Sequence, residues 1–150
     1  MKRSAKAVWQ GGVRVGEGTV STSSGVISNL IYTAGASSGE VPCITPSEML
    51  AAAEASCIAV SVARELEMVH LPAEKIEANA EVLIAAVRKV PDIAEVHLDV
   101  TVRAPEPDTK EYEKAIHRAK NRCLITRNLK AKITMKAHVV ATEAAVAHAS

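Results

Sequence analysis

The stretch Met49-Leu-Ala-Ala-Ala-Glu-Ala-Ser-Cys-Ile-Ala-Val-Ser-Val-Ala63 constrains the fold more than any other part of this 150-residue chain. It is apolar almost all the way round, and Glu54 is its only charge. A helix of that kind is buried on most sides rather than laid along a surface. Its start is written just upstream. Thr45 suits the N-cap, Pro46 fits the first turn, and Glu48 stands three residues after Thr45 as in a capping box. The helix is expected to run to about Glu67, with His70-Leu-Pro72 ending it. One thin sheet cannot cover such a helix, so the pattern predicts a dimer that shares it in a common core.

The remaining segments supply the cover. Val8, Trp9, Val13, Val15 and Val20, broken by Gly11-Gly12 and by Gly16 and Gly18, read as a hairpin over residues 5–21. Gly25 opens a third short strand, Val26 to Tyr32, and the Ala/Gly/Ser-rich residues 33–45 read as a loop. After the helix, Ile76–Lys89 reads as a strand, and Pro91-Asp92 is expected to turn it into the next. Val96, Leu98, Val100 and Val102 alternate strictly with His97, Asp99, Thr101 and Arg103. A helix over Thr109–Arg122, capped by Asp108 or Thr109, gathers Tyr112, Ala115, Ile116 and Ala119 on one face. A helical turn at 124–128 and a strand over Ala131–Ala141 complete the pattern, and residues 141–150 read as a flexible tail. The order βββ-α-ββ-α-β predicts one α+β domain over residues 1–150, with antiparallel sheets around buried central helices.

Composition narrows function by exclusion. Eighteen Lys and Arg nearly cancel seventeen Asp and Glu, so there is no electrostatic case for nucleic acid or an anionic membrane. One Trp, two Tyr and no Phe leave no platform for stacking bases. The apolar run at 49–63 is too short to span a bilayer, and no apolar stretch follows the basic N-terminus, so a cytoplasmic protein is expected. In a reducing compartment three cysteines do not read as a disulfide scaffold. Their spacing of 14 and then 66 residues matches no metal pattern, and neither a metal nor a bound cofactor is expected. Gly16-x-Gly18 lacks the strand–turn–helix setting of a phosphate loop.

The thiols carry the remaining chemistry. Cys57 lies mid-helix, out of reach of the helix dipole, and burial by itself would raise its pKa. To react it needs a cation brought by the fold. Leu50, Ala53, Glu54, Val60, Ser61 and Arg64 share its helix face, and Arg14 in the first hairpin is a candidate from elsewhere. Cys123 stands among Lys120, Arg122 and Arg127, which makes it the readier thiolate by local electrostatics. One thiol in an apolar helix and one in a basic turn suggest a redox pair, although a free cysteine in an apolar run is most often a small hydrophobe. Cys43 reads as incidental, and His70, His97, His117 and His138 as surface residues.

Three blocks carry a resemblance: Trp9 with Gly16-Glu-Gly-Thr-Val-Ser-Thr-Ser-Ser-Gly-Val26; Thr45-Pro-Ser-Glu-Met-Leu-Ala-Ala-Ala-Glu-Ala-Ser-Cys57; and Ala119-Lys-Asn-Arg-Cys123 followed by Leu129-Lys-Ala-Lys-Ile-Thr134. Together, over about residues 5–140, they resemble the OsmC/Ohr family of osmotically inducible and organic hydroperoxide resistance proteins, the OsmC branch above all. The resemblance implies an intertwined homodimer whose sites lie at the subunit interface. It implies a thiol peroxidase that reduces organic hydroperoxides and is recharged by an external dithiol. By position it makes Cys57 the attacking thiol and Cys123 the resolving one, the reverse of the local electrostatic preference. Family members hold the thiol with an arginine fixed by a glutamate directly after the helix-opening proline. Here that position is Ser47, with Glu48 one place on. The loop before the helix has no arginine, Ser37 standing in its place, and Leu124 follows Cys123 where a proline is common. The expected site is therefore Cys57, Cys123, Glu48 and Arg14, with Glu54 and Arg64 as further tuning groups. The alternative is an OsmC-like dimer without efficient turnover that binds a small apolar ligand or senses oxidants through its thiols.

Overall fold

The computed structural model describes residues 1–35, 43–87, 90–105, 107 and 109–142. Residues 36–42 of the loop expected over 33–45, Ser37 among them, the Asp108 cap and the tail beyond Thr142 lie outside these residues. Two compact units divide the chain, residues 1–50 and 51–150.

In the first unit, β1 (Ala5–Gln10), β2 (Glu17–Thr22) and β3 (Leu30–Tyr32) form an antiparallel sheet in that order. Its register sets Gly18 between Trp9 and Tyr32, whose rings stand 5.6 Å apart. A Cβ on Gly18 would come within 2.4 Å of the Tyr32 ring, so this close approach requires glycine. The third strand begins later than the expected Val26. Gly25 and Asn29 both take positive φ, +76° and 51°, and extended pairing starts only at Leu30. Helix α1 (Pro46–Met68) opens in this unit through the expected capping box. The Thr45 hydroxyl donates to Glu48 Oε2 at 2.7 Å, the Thr45 N–H to the same oxygen at 2.8 Å, and the Glu48 N–H to Thr45 Oγ1 at 3.3 Å.

The second unit holds the rest of α1, then β4 (Lys75–Val87), β5 (Val90–Ala104), α2 (Thr109–Arg122), a 3-10 turn at Thr126–Asn128 and β6 (Lys132–Ala141). β4 and β5 pair antiparallel, but β5 and β6 run parallel, which corrects the wholly antiparallel expectation. The reason is α2: it carries the chain back across the sheet, as a parallel neighbour requires. Pro91 and Asp92 do not form the turn either. They pair with Ala86 and Ala85 near the start of β5, where a missing N–H is tolerated, and the strand ends meet at Val87 and Val90.

One core joins Ile58, Val62 and Leu66 of α1, alternate residues Val96 to Ala104 of β5, and Tyr112, Ala115, Ile116 and Ala119 of α2. The last four recur at helical spacing and Cys123 continues their stripe. Tyr112 anchors the arrangement by donating its hydroxyl to the Pro72 carbonyl at 2.6 Å. Each fully buried Ile, Leu or Val here contributes about 1.5–3 kcal/mol. The buried line of α1 is narrower than expected: Glu54, Ile58, Val62, Glu65 and Leu66 are covered, while Val60 and Met68 are each 61% exposed. Among the described residues no helix is long and apolar enough to cross a membrane.

Candidate thiol site

Cys57 sits in the middle of α1, and Cys123 is the first residue past α2. The Cys123 N–H still donates to the Ala119 carbonyl at 2.8 Å, so its side chain follows Ala119 into the core. Their sulfurs stand 3.0 Å apart, in hydrogen-bond contact as free thiols. Cys57 is half-buried and Cys123 is fully buried. The fold thus brings together two residues 66 positions apart in the chain.

The two thiols differ in their surroundings. Burial pushes Cys57 up, the hydrogen bond to Cys123 adds to this, and the N–H groups of Ile125 and Leu124 offset part of it. No lysine or arginine figures among these influences. Burial acts on Cys123 in the same sense. There, however, the hydrogen bond with Cys57, the Thr126 hydroxyl, and the N–H groups of Thr126 and Ile125 outweigh it and bring the thiol below its ordinary value. None of the basic sequence neighbours of Cys123 figures among these influences. Two of the three basic neighbours are engaged elsewhere: Arg122 with Glu65, and Lys120 with the Ile133 carbonyl at 2.9 Å.

Two buried carboxylates flank the pair. Glu54, one turn before Cys57, accepts a hydrogen bond from Thr126 Oγ1, and its second oxygen has no partner among the described residues. Glu65, two turns after Cys57, accepts from Arg118 Nε at 3.1 Å and from Arg122 Nη1 at 2.9 Å. Burial would raise Glu65, but Arg122 and Arg118 bring it below the usual carboxylate range. Sequence reasoning missed Thr126, Glu65, Arg118 and the role of Arg122. The available signal was spacing: Glu54, Ile58, Val62 and Leu66 follow one another at four-residue steps, with Glu65 beside them.

The other expected site residues stand as follows. Glu48 is exposed, and its carboxylate is held low by the Thr45 hydroxyl and N–H that it caps. Arg14 is exposed in the β1–β2 turn, and Arg64 is exposed on α1. Cys43 lies 3.5 Å from the Thr33 hydroxyl. Among the described residues no three His, Cys, Asp or Glu side chains gather as a metal set. A separate groove of about 550 Å³, lined by Asn79, Glu81, His97, Asp99, Thr134 and Lys136, opens on the polar side of the second sheet.

Mixed α+β architecture around a paired cysteine site defines a class of small thiol proteins. The family model for OsmC-like protein matches residues 37–138, and the chain belongs to that family. It is 29% identical over 133 residues to Peroxiredoxin OsmC of Escherichia coli strain K12, covering 89% of this chain and 93% of that protein. An OsmC-like protein of unknown function from Vibrio cholerae superposes with a TM-score of 0.75 at 18% identity, over 91% of this chain and 99% of the other. The organic hydroperoxide resistance protein OhrB of Bacillus subtilis does so with a TM-score of 0.62 at 15% identity, over 91% and 98%.

Proposed function

We propose that this chain is a cysteine-based peroxidase acting on organic hydroperoxides, working as a homodimer recharged by an external dithiol. The observation that carries this reading is the 3.0 Å contact between the half-buried Cys57 and the buried Cys123. Cys57 as thiolate attacks the outer peroxide oxygen. The O–O bond breaks, the alkoxide leaves and takes a proton, and Cys57 becomes a sulfenic acid. Cys123 then attacks the Cys57 sulfur, forming the disulfide and releasing water. Two thiol exchanges with the dithiol restore the pair. No step uses a metal or an organic cofactor. The name of the Escherichia coli relative, a peroxiredoxin, supports peroxide reduction, and that of the Bacillus subtilis structure supports the organic hydroperoxide class.

A second reading has its own support. The surroundings of Cys57 raise its pKa and supply no cation among the described residues of the second unit, which favours an oxidant-sensing dimer with slow turnover. Consumption of cumene hydroperoxide with a dithiol reductant decides between them. The peroxidase reading expects multiple turnovers, lost in Cys57→Ser. It also expects a preference over hydrogen peroxide, because an alkyl group gains roughly 25 cal/mol per Å² of apolar burial. A single stoichiometric oxidation without turnover would establish the sensor.

A further inference from the structure

Cys123 is bracketed by two ties to α1. Arg122, one residue before it, closes on Glu65, and Thr126, three residues after it, donates its hydroxyl to Glu54. The second tie is buried at both ends. Glu54 and Cys57 are three residues apart on α1 and so share a face. Cys123 and Thr126 have the same spacing on the turn that follows α2, and that turn is helical in its bonding. The Arg127 N–H donates to the Cys123 carbonyl at 3.1 Å, the Leu129 N–H to the Ile125 carbonyl at 3.2 Å, and Asn128 Nδ2 to the Leu124 carbonyl at 2.7 Å. Cys57 with Cys123 and Glu54 with Thr126 are thus neighbouring rungs between two helical segments that run antiparallel. We infer that Glu54 and Thr126 are positioning residues for Cys123: their hydrogen bond holds the turn against α1, so that the Cys123 sulfur stays within attacking distance of an oxidised Cys57. The inference rests on the proposed function only in making Cys123 the thiol that closes the disulfide.

The rung is an unusual choice for its place. Glu54 heads the buried line that continues as Ile58, Val62 and Leu66, and a carboxyl group is costly to bury there without a partner. An apolar side chain would continue the line, but apolar contact has no direction and would leave the turn free to slide along α1. A hydrogen bond fixes distance and angle together. Cys123 needs that precision. The two sulfurs stand 3.0 Å apart, at near-attack separation, and a displacement of about 1 Å at a reacting centre can cost about 100-fold in rate. On the α2 side the backbone holds Cys123, through its N–H to the Ala119 carbonyl at 2.8 Å. On the other side, among the described residues, Thr126 to Glu54 is the one side-chain-to-side-chain hydrogen bond from the turn at 124–128 to α1.

The step served is the closing of the disulfide. Cys123 gives its proton to solvent, and its thiolate attacks the sulfur of the Cys57 sulfenic acid. The S–S bond forms, and the S–O bond breaks with its electron pair leaving as hydroxide, which takes up a proton as water. Glu54 and Thr126 give and take no proton in this step. Their part is geometric.

The test is exchange with glutathione, which needs no peroxide. The full chain carrying Cys43→Ser is equilibrated in mixtures of reduced and oxidised glutathione, and the Cys57–Cys123 disulfide is counted by mass after alkylation. The pair gives two electrons to glutathione disulfide, whose S–S bond breaks to two thiols as the protein's forms. Thr126→Val removes the donor and Glu54→Ala the acceptor. Each should weaken the disulfide about tenfold or more, a rise of about 30 mV in its potential. The double variant should lose no more than the larger single loss, because one bond is removed either way. Thr126→Ser keeps the hydroxyl and Glu54→Gln keeps an acceptor oxygen, so both should stay within about threefold of the wild type. A smaller loss in Thr126→Val with circular dichroism unaltered overturns the tie. So do losses that add in the double variant, or a wild type that forms only mixed disulfides with glutathione. Should Thr126→Val not fold, Glu54→Ala is read in its place, and a loss beyond threefold in Thr126→Ser or Glu54→Gln overturns the tie in any case. Failure of the peroxidase reading looks different: cumene hydroperoxide then oxidises neither thiol, while the glutathione equilibria still move as stated.

Discussion

Arg122 Nη1 donates to Glu65 Oε1 at 2.9 Å, and that ion pair sets the place of the next residue, Cys123, against helix α1. Arg118 adds a second donor to the same carboxylate at 3.1 Å. The Arg122 and Arg118 side chains remain 61% and 37% exposed against 4% for Glu65, so most of the desolvation falls on Glu65. The pair is thus a latch between α1 and α2 whose strength is set by the ionisation of one buried acid.

The latch predicts an acid-dependent loss of stability. The folded pKa of Glu65 lies below its ordinary value, so its contribution is fully present above the ordinary carboxylate pKa and is lost as pH falls through the lower folded value. Glu65→Ala should cost about 1–3 kcal/mol at neutral pH, the arginines it frees being still partly solvated. Urea midpoints of the wild type and the variant should converge below about pH 4. A gap that persisted unchanged into acid would show that packing rather than charge holds the two helices.

The thiol pair predicts an asymmetric response. Cys123 is one of the groups that raise Cys57. Cys123→Ala should therefore speed alkylation of Cys57 at neutral pH, although the disulfide is lost. Peptide mapping with iodoacetamide reads this directly. In the same assay, Arg14→Ala and Arg64→Ala ask whether a cation reaches Cys57, Arg14 from outside the second unit and Arg64 from α1 itself. If one does, at least one replacement slows alkylation about threefold or more near pH 7. If both are silent, the thiol works without a guanidinium.

Much of this was legible in the chain because periodicity reports burial. The alternation of Val96, Leu98, Val100 and Val102 and the helical spacing of Tyr112, Ala115, Ile116 and Ala119 each mark one face, and both faces are buried; the Thr45–Glu48 capping box is legible in four residues. The parallel pairing of β5 and β6 was not legible, since strand spacing carries no direction and only the path of α2 decides it. Pro91 looked like a turn because proline usually interrupts strands, yet the edge of a long hairpin tolerates it. At the site, the two cysteines could be named but their contact could not. Basic neighbours in sequence pointed to Cys123, whereas in space those side chains turn to Glu65 and Ile133. Thr126 gave no signal, because its meaning lies in a partner 72 residues away.

Gly18 predicts a local failure of the first sheet. Its Cβ would fall 2.4 Å from the Tyr32 ring, which already packs on Trp9. Gly18→Ala must displace Tyr32 and should cost about 1–3 kcal/mol. Trp9 is the one tryptophan, so its fluorescence reports the change without a label. An unshifted emission spectrum and an unchanged urea midpoint would mean that the ring moves aside freely.

The exposed side of α1 predicts association. Val60 is 61% exposed in a single chain, one turn beyond Cys57, on a helix whose sequence is apolar nearly all round. If a second copy covers this side, sedimentation at micromolar concentration should give about 32 kDa, twice the 15.8 kDa of the chain. Val60→Asp separates the alternatives. At a truly solvent-exposed position the change stays within about 0.5 kcal/mol. In a shared core it sets two unpaired carboxylates into an apolar contact, one from each copy, and should split the dimer or prevent folding. Retention of a wild-type sedimentation coefficient and midpoint in Val60→Asp, or a monodisperse wild-type monomer, would remove the shared helix from the architecture. The dimer expected from the apolar run 49–63 would go with it.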